Sequence, residues 1–114
     1  MSNDLFLKII DREIPADIVF ENDDILAFRD ISPQAPTHIL IIPKRRIATI
    51  NDVTPDDAAL IGKMVLVARD LAAGEGISED GYRLVFNCNQ DGGQSVFHIH
   101  LHLLGGRALS WPPG

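Results

Sequence analysis

Histidine occurs four times in these 114 residues, and three of the four stand in strict alternation at positions 98, 100 and 102. Around them, in Val96-Phe-His-Ile-His-Leu-His-Leu-Leu104, come Phe97, Ile99, Leu101 and Leu103, all strongly apolar. Side chains on a strand point alternately to its two faces. The pattern therefore predicts a strand over Val96–Leu104, with the apolar set toward a core and three imidazoles on the other face, about 6.6 Å apart in succession. A helix would scatter the rings around its axis. One histidine is commonly structural. Three in a row demand a hydrogen-bond partner or a ligand for each nitrogen, because unpaired polar groups are costly to bury.

Two chemistries fit such a row. A metal ion such as zinc would use His98, His100 and His102, with His38 as a fourth ligand. A phosphate would use the segment just before the row, Asp91-Gly-Gly-Gln-Ser95. There Gly92 and Gly93 let backbone amides approach an anion, and the Ser95 hydroxyl adds a donor. The adjacent loop suits an anion better than a cation, so phosphate chemistry without a metal or other cofactor is the expectation.

Composition limits the rest. A chain of this length falls within the usual size of one domain. With 46% hydrophobic and 23% charged residues it reads as an ordinary globular protein. A net charge of -6 opposes a grip on DNA or RNA, while a small anionic ligand remains accessible to local donors. The single cysteine, Cys88, allows no internal disulfide and no thiolate metal cage, which fits a reducing, cytoplasmic setting. Met1–Asn3 opens no secretion signal, and no segment reaches the length of a membrane span.

The elements that must position the histidines follow from periodicity and punctuation. Leu5, Phe6, Ile9 and Ile10 predict a short amphipathic helix over Asp4–Ile10, stopped before Pro15. Ile18–Glu21 and Ile25–Arg29 predict a hairpin about Asn22, Asp23 and Asp24. After the loop Ser32–Thr37, the run His38–Pro43 predicts a buried third strand. A long helix starts at Thr54, with Pro55 in its first turn and Asp57 at the third position. Its stripe is Leu60, Ile61, Met64, Val65, Ala68, Leu71 and Ala72, and Gly74 and Gly76 end it. Strands Tyr82–Asn87 and Val96–Leu104 flank the polar loop Cys88–Ser95, and Ser110–Gly114 is not helical. Strands in succession with one long covering helix make an α+β fold with an antiparallel sheet.

The run Asp91-Gly-Gly-Gln-Ser-Val-Phe-His-Ile-His-Leu-His-Leu-Leu-Gly-Gly106 resembles the signature of the histidine triad (HIT) family, His-x-His-x-His followed by two apolar residues. Upstream, Phe28-Arg-Asp-Ile-Ser-Pro-Gln-Ala-Pro-Thr-His-Ile-Leu-Ile-Ile-Pro43 is similar to the nucleotide-binding segment of the Hint branch, and with Trp111-Pro-Pro-Gly114 the likeness spans nearly the whole chain. It implies a single HIT domain over 1–114, with 105–114 as an extended tail. It implies a five-stranded antiparallel sheet with one long and one short helix, continued across a homodimer. It also implies a hydrolase that opens purine nucleoside 5'-phosphoramidates, including lysine-linked and small-amine adenylates, and releases the nucleoside monophosphate (AMP or GMP) and an amine. A nucleotide-binding sensor and a dinucleoside polyphosphate hydrolase are the alternatives. Some members bind a structural zinc through a Cys-x-x-Cys near the N-terminus, a region that here reads Leu5-Phe-Leu-Lys8.

The resemblance assigns roles residue by residue. His100 is the expected nucleophile, neutral and held at one nitrogen by a backbone carbonyl, that of His98 being the candidate. His102, Ser95 and the loop amides are expected to face the phosphoryl oxygens, and His38 and His98, linked to His102, to relay a proton to the departing amine. Asp30 corresponds to the ribose ligand, and Phe28 and Ile31 to the purine slot. Arg29 replaces a histidine of other Hint-like chains and implies a shifted base preference. Gly93 and Val96 belong to the nucleotide-binding set. Asn87 and Gln94 match positions near the phosphate and dimer side, with satisfaction of loop backbone as their other reading. Trp111 is expected to wall the leaving-group pocket of the partner subunit.

Overall fold

The computed structural model describes residues 4–114, so the reading of Met1–Asn3 lies outside the described residues. Helix α1 spans Leu5–Ile10, and Asp4 caps it, its Oδ1 accepting from the amides of Phe6 (3.0 Å) and Leu7 (3.2 Å). Strands β1 (Ile18–Glu21) and β2 (Ile25–Arg29) form the expected hairpin. Its turn is tied by Asn22 Oδ1, which accepts from the amides of Asp24 and Ile25. Strand β3 (Thr37–Pro43) is buried along its whole length. Two short 3-10 turns, Ile50–Asp52 and Pro55–Asp57, precede helix α2 (Ala58–Gly74). Asp57 reaches back to the Thr54 amide at 2.9 Å, so the start signal operates through a 3-10 turn rather than directly on the α-helix. Gly76, at φ +76°, supplies the left-handed residue that ends it. Strand β4 (Tyr82–Phe86), a one-turn helix α3 (Asn89–Gly92) and strand β5 (Leu101–Gly105) complete the chain.

All pairings are antiparallel, and the five strands lie in the order β1-β2-β3-β5-β4. The sheet has a core on each face. Toward α2, the side chains of Ile25, Ala27, Ile39, Ile41, Ile99, Leu101 and Leu103 pack with Met64, Ala68 and Ala72. On the other face, Leu26, Phe28, Leu40 and Ile42 pack with Phe6 and Ile9 of α1. Both faces of β3 are therefore covered, which is why its five apolar residues after His38 show no alternation of burial.

Four sequence expectations need correction. The histidine strand is half as long as predicted. Leu101 is the first residue in register with both neighbours, Ile41 and Phe86, and the preceding segment leaves the ladder, Ile99 donating its amide to Ile47 O at 2.8 Å. Phe97, upstream of that ladder, is 44% exposed instead of core. Val65 lies one step off the line of Met64, Ala68 and Ala72 and is 39% exposed. The loop after β4 begins one residue earlier than predicted, at Asn87, and contains the single turn α3. At the far end, Gly105 still belongs to β5, and a Cβ there would come within 2.5 Å of the Ile77 side chain. A Cβ on Gly106, at φ +92°, would come within 2.8 Å of Pro36, so the glycine pair after the histidines has a packing reason of its own.

Candidate active site

The alternation predicted for the histidine row survives the shortened strand. Ile99, Leu101 and Leu103 face α2, while His98, His100 and His102 lie on the opposite side. A cavity of about 220 Å³ opens on that side. Leu5, Phe6 and Ile9 of α1, the following Ile14, Pro15 and Ala16, and Phe28 and Leu40 make its apolar wall. Asp30, Ser95, His100 and His102 make its polar end, with Ile31 and Val96 at the side. An apolar slot with a few polar groups at one end is the usual form of a small-molecule site.

Hydrogen bonds determine which nitrogen of each ring carries the proton. The Gln34 amide donates to His38 Nδ1 at 3.0 Å, so that nitrogen is bare and the neutral ring has its hydrogen on Nε2. His38 Nε2 lies 2.9 Å from His102 Nδ1 and therefore donates to it, with Asp30 Oδ2 at 3.5 Å. His102, accepting at Nδ1, has its own hydrogen on Nε2. That atom is buried and is the one buried side-chain polar atom without a partner among the described residues. An orphan donor in a ring that lines the cavity marks the place for a ligand acceptor.

His100 has the complementary arrangement. Its Nδ1 is 2.8 Å from the carbonyl of His98, as expected from the sequence, and a carbonyl can only accept. Nδ1 thus carries the hydrogen and Nε2 keeps its lone pair. Burial favours the neutral form of His38, His100 and His102 alike. It lowers the pKa of His38, lowers that of His100, and takes His102 to about 4, the neighbouring imidazoles adding to the effect on His102. The rings of Phe6 and His100 pack in a T-shaped arrangement with centroids 5.0 Å apart.

His98 is elsewhere. It is fully buried, its Nε2 bonds Pro43 O at 2.7 Å and its Nδ1 faces Asp4 Oδ2 at 3.2 Å. It has no hydrogen bond to His102, so the expected relay through His98 is not built; the linked pair is His38 and His102. The same bonds answer the metal reading. With both nitrogens of His98 and one of His100 taken, the three rings of the row cannot converge on an ion. Asp30, His38 and His102 do approach within 4.8 Å of one another, but His38 Nε2 carries a proton for as long as Nδ1 accepts from Gln34. Nor does the zinc of some relatives find a thiolate here, since the one cysteine is Cys88 and Leu5–Lys8 lies in α1.

Of the remaining expected residues, Phe28, Asp30, Ile31, Ser95 and Val96 line the cavity, Ile31 being 93% exposed at its rim. Asp30 also makes a turn, its Oδ1 accepting from the Ser32 amide. Arg29 borders the cavity, but its guanidinium makes two 2.9 Å bonds to Glu75 at the end of α2, so it is committed to a structural pair rather than to a base. Asn87, Gly93 and Gln94 stand off the cavity lining. The amides of Gly93 and Gln94 bond the carbonyls of Gln90 and Asn89, so they are not the expected anion donors, and Gly93 at φ +82° closes α3. Gln94 accepts from the Asn89 amide and donates to Ala48 O and Val96 O, a loop staple. Trp111 is 81% exposed and outside the cavity of its own chain. Sequence reasoning missed the cavity wall contributed by α1 and Ile14–Ala16, and it missed Asp4. The apolar stripe of α1 was visible, but nothing local to it says what it covers.

Comparison with known proteins agrees with this fold. The HIT domain model matches residues 11–109. A protein of Escherichia coli named purine nucleoside phosphoramidase is 61% identical over 105 residues, 92% of this chain and 88% of the relative. An uncharacterised HIT-like protein of Synechococcus elongatus is 57% identical over the full length of both. The crystal structure of a HIT family hydrolase from Legionella pneumophila superposes with a TM-score of 0.96 at 65% identity, covering 98% of this chain and 100% of that one. A histidine triad nucleotide-binding protein from Candida albicans gives a TM-score of 0.82 at 31% identity, covering 96% and 83%. With the triad, its five-stranded antiparallel setting and these likenesses in agreement, the chain belongs to the HIT domain family.

Proposed function

We propose that this protein hydrolyses the phosphorus–nitrogen bond of purine nucleoside 5'-phosphoramidates through a covalent nucleotidyl-His100 intermediate. One observation carries the reading. The bond from His100 Nδ1 to the His98 carbonyl leaves Nε2 with a lone pair, beside a ring whose Nε2–H has no partner among the described residues. A neutral nucleophile and a fixed donor in one small cavity suit displacement at phosphorus. The activity named for the 61% identical Escherichia coli relative is the same reaction.

In the proposed course, His100 Nε2 attacks phosphorus and the P–N bond breaks. The amine leaves with a proton that the His38–His102 pair takes up from solvent and passes on, because an amide anion is a poor leaving group, and the water of the second step returns one. Water then attacks the phosphorus, the P–Nε2 bond breaks and the nucleoside monophosphate departs. Ser95 and the His102 Nε2–H face the phosphoryl oxygens, Asp30 receives the ribose hydroxyls, and Phe28 with the α1 side chains Phe6 and Ile9 holds the purine.

We further propose a cytoplasmic homodimer. The sheet ends in the open edge of β4, and α2 leaves Val65 and Leu66 39% and 49% exposed, apolar surface that a second copy would cover. The tail 106–114 would then bring Trp111 to the partner's leaving-group side. A solution mass of 12.5 kDa rather than twice that value overturns the dimer.

The test of the reaction is turnover of adenosine and guanosine phosphoramidates with differing amines, beside dinucleoside polyphosphates, for the wild type and His100→Ala. The expected result is phosphoramidate turnover that falls at least about 10³-fold in the variant, while AMP still binds. Turnover retained by His100→Ala ends the proposal. Preference for the polyphosphates, or tight AMP binding with negligible turnover, replaces it with one of the alternative readings.

A further inference from the structure

His100 precedes β5 and lacks the ladder that holds Leu101. The segment before it is fastened instead by the Ile99 amide on Ile47 O and by the side chain of His98. His98 therefore does more than alternate with its neighbours, because its own carbonyl is the acceptor that orients His100. What holds His98 decides how well that carbonyl is placed.

Two elements hold it. Pro43 O, at the end of β3, accepts from Nε2 at 2.7 Å, so Nε2 carries a hydrogen. On the other side, Asp4 Oδ2 stands 3.2 Å from Nδ1 while also accepting from Arg46 Nε at 2.8 Å. With an acceptor standing at each nitrogen, the ring is gripped from both sides and has a partner for a hydrogen on either one. Asp4 is 4% exposed, and its other oxygen caps α1, the helix whose Leu5, Phe6 and Ile9 wall the cavity.

We propose that Asp4 is a positioning residue for the reaction. One carboxylate joins the α1 wall of the cavity to His98 and, through the His98 carbonyl, to the ring that attacks phosphorus. The inference rests on the role of His100 proposed above. A displacement of about 1 Å at a nucleophile can cost on the order of 10²-fold in rate, so a clamp outside the cavity has leverage on turnover without touching substrate.

Asp4→Asn separates the clamp from the cap. Asparagine caps helices about as well as aspartate but brings no charge to His98 and Arg46. The expected result is a folded protein whose kcat falls roughly tenfold or more with KM changed less than about twofold. Imidazole nitrogen NMR of the wild type should show hydrogens on both nitrogens of His98 and on Nδ1 of His100, and the variant should lose the His98 Nδ1–H signal. If Asp4→Asn does not fold, His98→Gln keeps the cap and the Arg46 pair and carries the same expectation of lower kcat at constant KM. Unchanged kcat in the folded variant, or a wild-type His98 with one bare nitrogen, overturns the proposal. The NMR arm needs no substrate, so a wild type inactive on phosphoramidates defeats the proposed function while leaving the clamp separately decided.

Discussion

Beneath α2 the sheet presents Ile25, Ala27, Ile39, Ile41, Leu101 and Leu103, none more than 2% exposed, and at its rim the charge of Arg29 is met by Glu75. From the same strands the opposite face presents Leu26, Phe28, Leu40 and Ile42, but also His38 and His102, with His100 just upstream of β5. The first face is closed by a helix of 17 residues, the second by one of six, and the difference in cover leaves the cavity. A long amphipathic helix can dry a sheet face completely; a short one leaves room at its end for a ligand. Stability and chemistry are thus assigned to different sides of one β-sheet, and substitutions should sort accordingly.

The largest separation is expected from Ile41→Ala. Ile41 is fully buried in the α2-side core and pairs with Leu101 across β3 and β5. Its truncation should cost about 2–5 kcal/mol of stability, read by urea unfolding. Below the transition the folded fraction should keep its kcat on a phosphoramidate, because the cavity rings lie on the other face. A fall in kcat as large as that of His100→Ala would show that the two faces are one mechanical unit and break the comparison.

The same division explains what was legible in the sequence. Period-2 alternation placed His98, His100 and His102 away from Ile99, Leu101 and Leu103, and period 3.6 placed Met64, Ala68 and Ala72 on the sheet, because each is a rule about which side a residue faces. Partnership has no period. Nothing near Asp4 announces His98, which lies 94 positions away, and nothing near Arg29 announces Glu75, 46 positions on. Position 29 therefore looked like a base contact when its guanidinium, at the border of the cavity, serves the corner of α2. Phe97 and the length of the histidine strand failed for a related reason. Their alternation is intact in the sequence, but the ladder needs neighbours on both sides, and Leu101 is where both are present. Gly93 and Gln94 looked like anion donors because glycine-rich loops often are; their amides instead close α3.

Acid should distinguish the faces by the pH at which each gives way. On the cavity side, burial lowers the pKa of His38 and His100 and takes His102 from 6.5 to about 4. Between those two values the unfolded chain binds protons that the folded chain refuses, so stability falls as pH drops from about 6.5 toward 4, by on the order of 2 kcal/mol after allowance for solvent screening of the part-exposed His102 ring. On the α2 side, the Arg29 bonds hold Glu75 below its ordinary 4.5. A carboxylate depressed in the folded state contributes fully above its unfolded pKa and is lost as pH falls through the folded one, so this contribution disappears below about 4.5. The pair is partly exposed, at 38% and 24%, which keeps its share under about 1 kcal/mol. Thermal unfolding followed across pH 7 to 3 should therefore show a larger decline first and a smaller one below it. His102→Asn should shrink the upper decline and leave the lower, and Glu75→Gln should do the reverse. If Glu75→Gln instead flattens the upper decline, the charge on the α2 side is coupled through β2 and β3 to the imidazoles, and the faces are not independent.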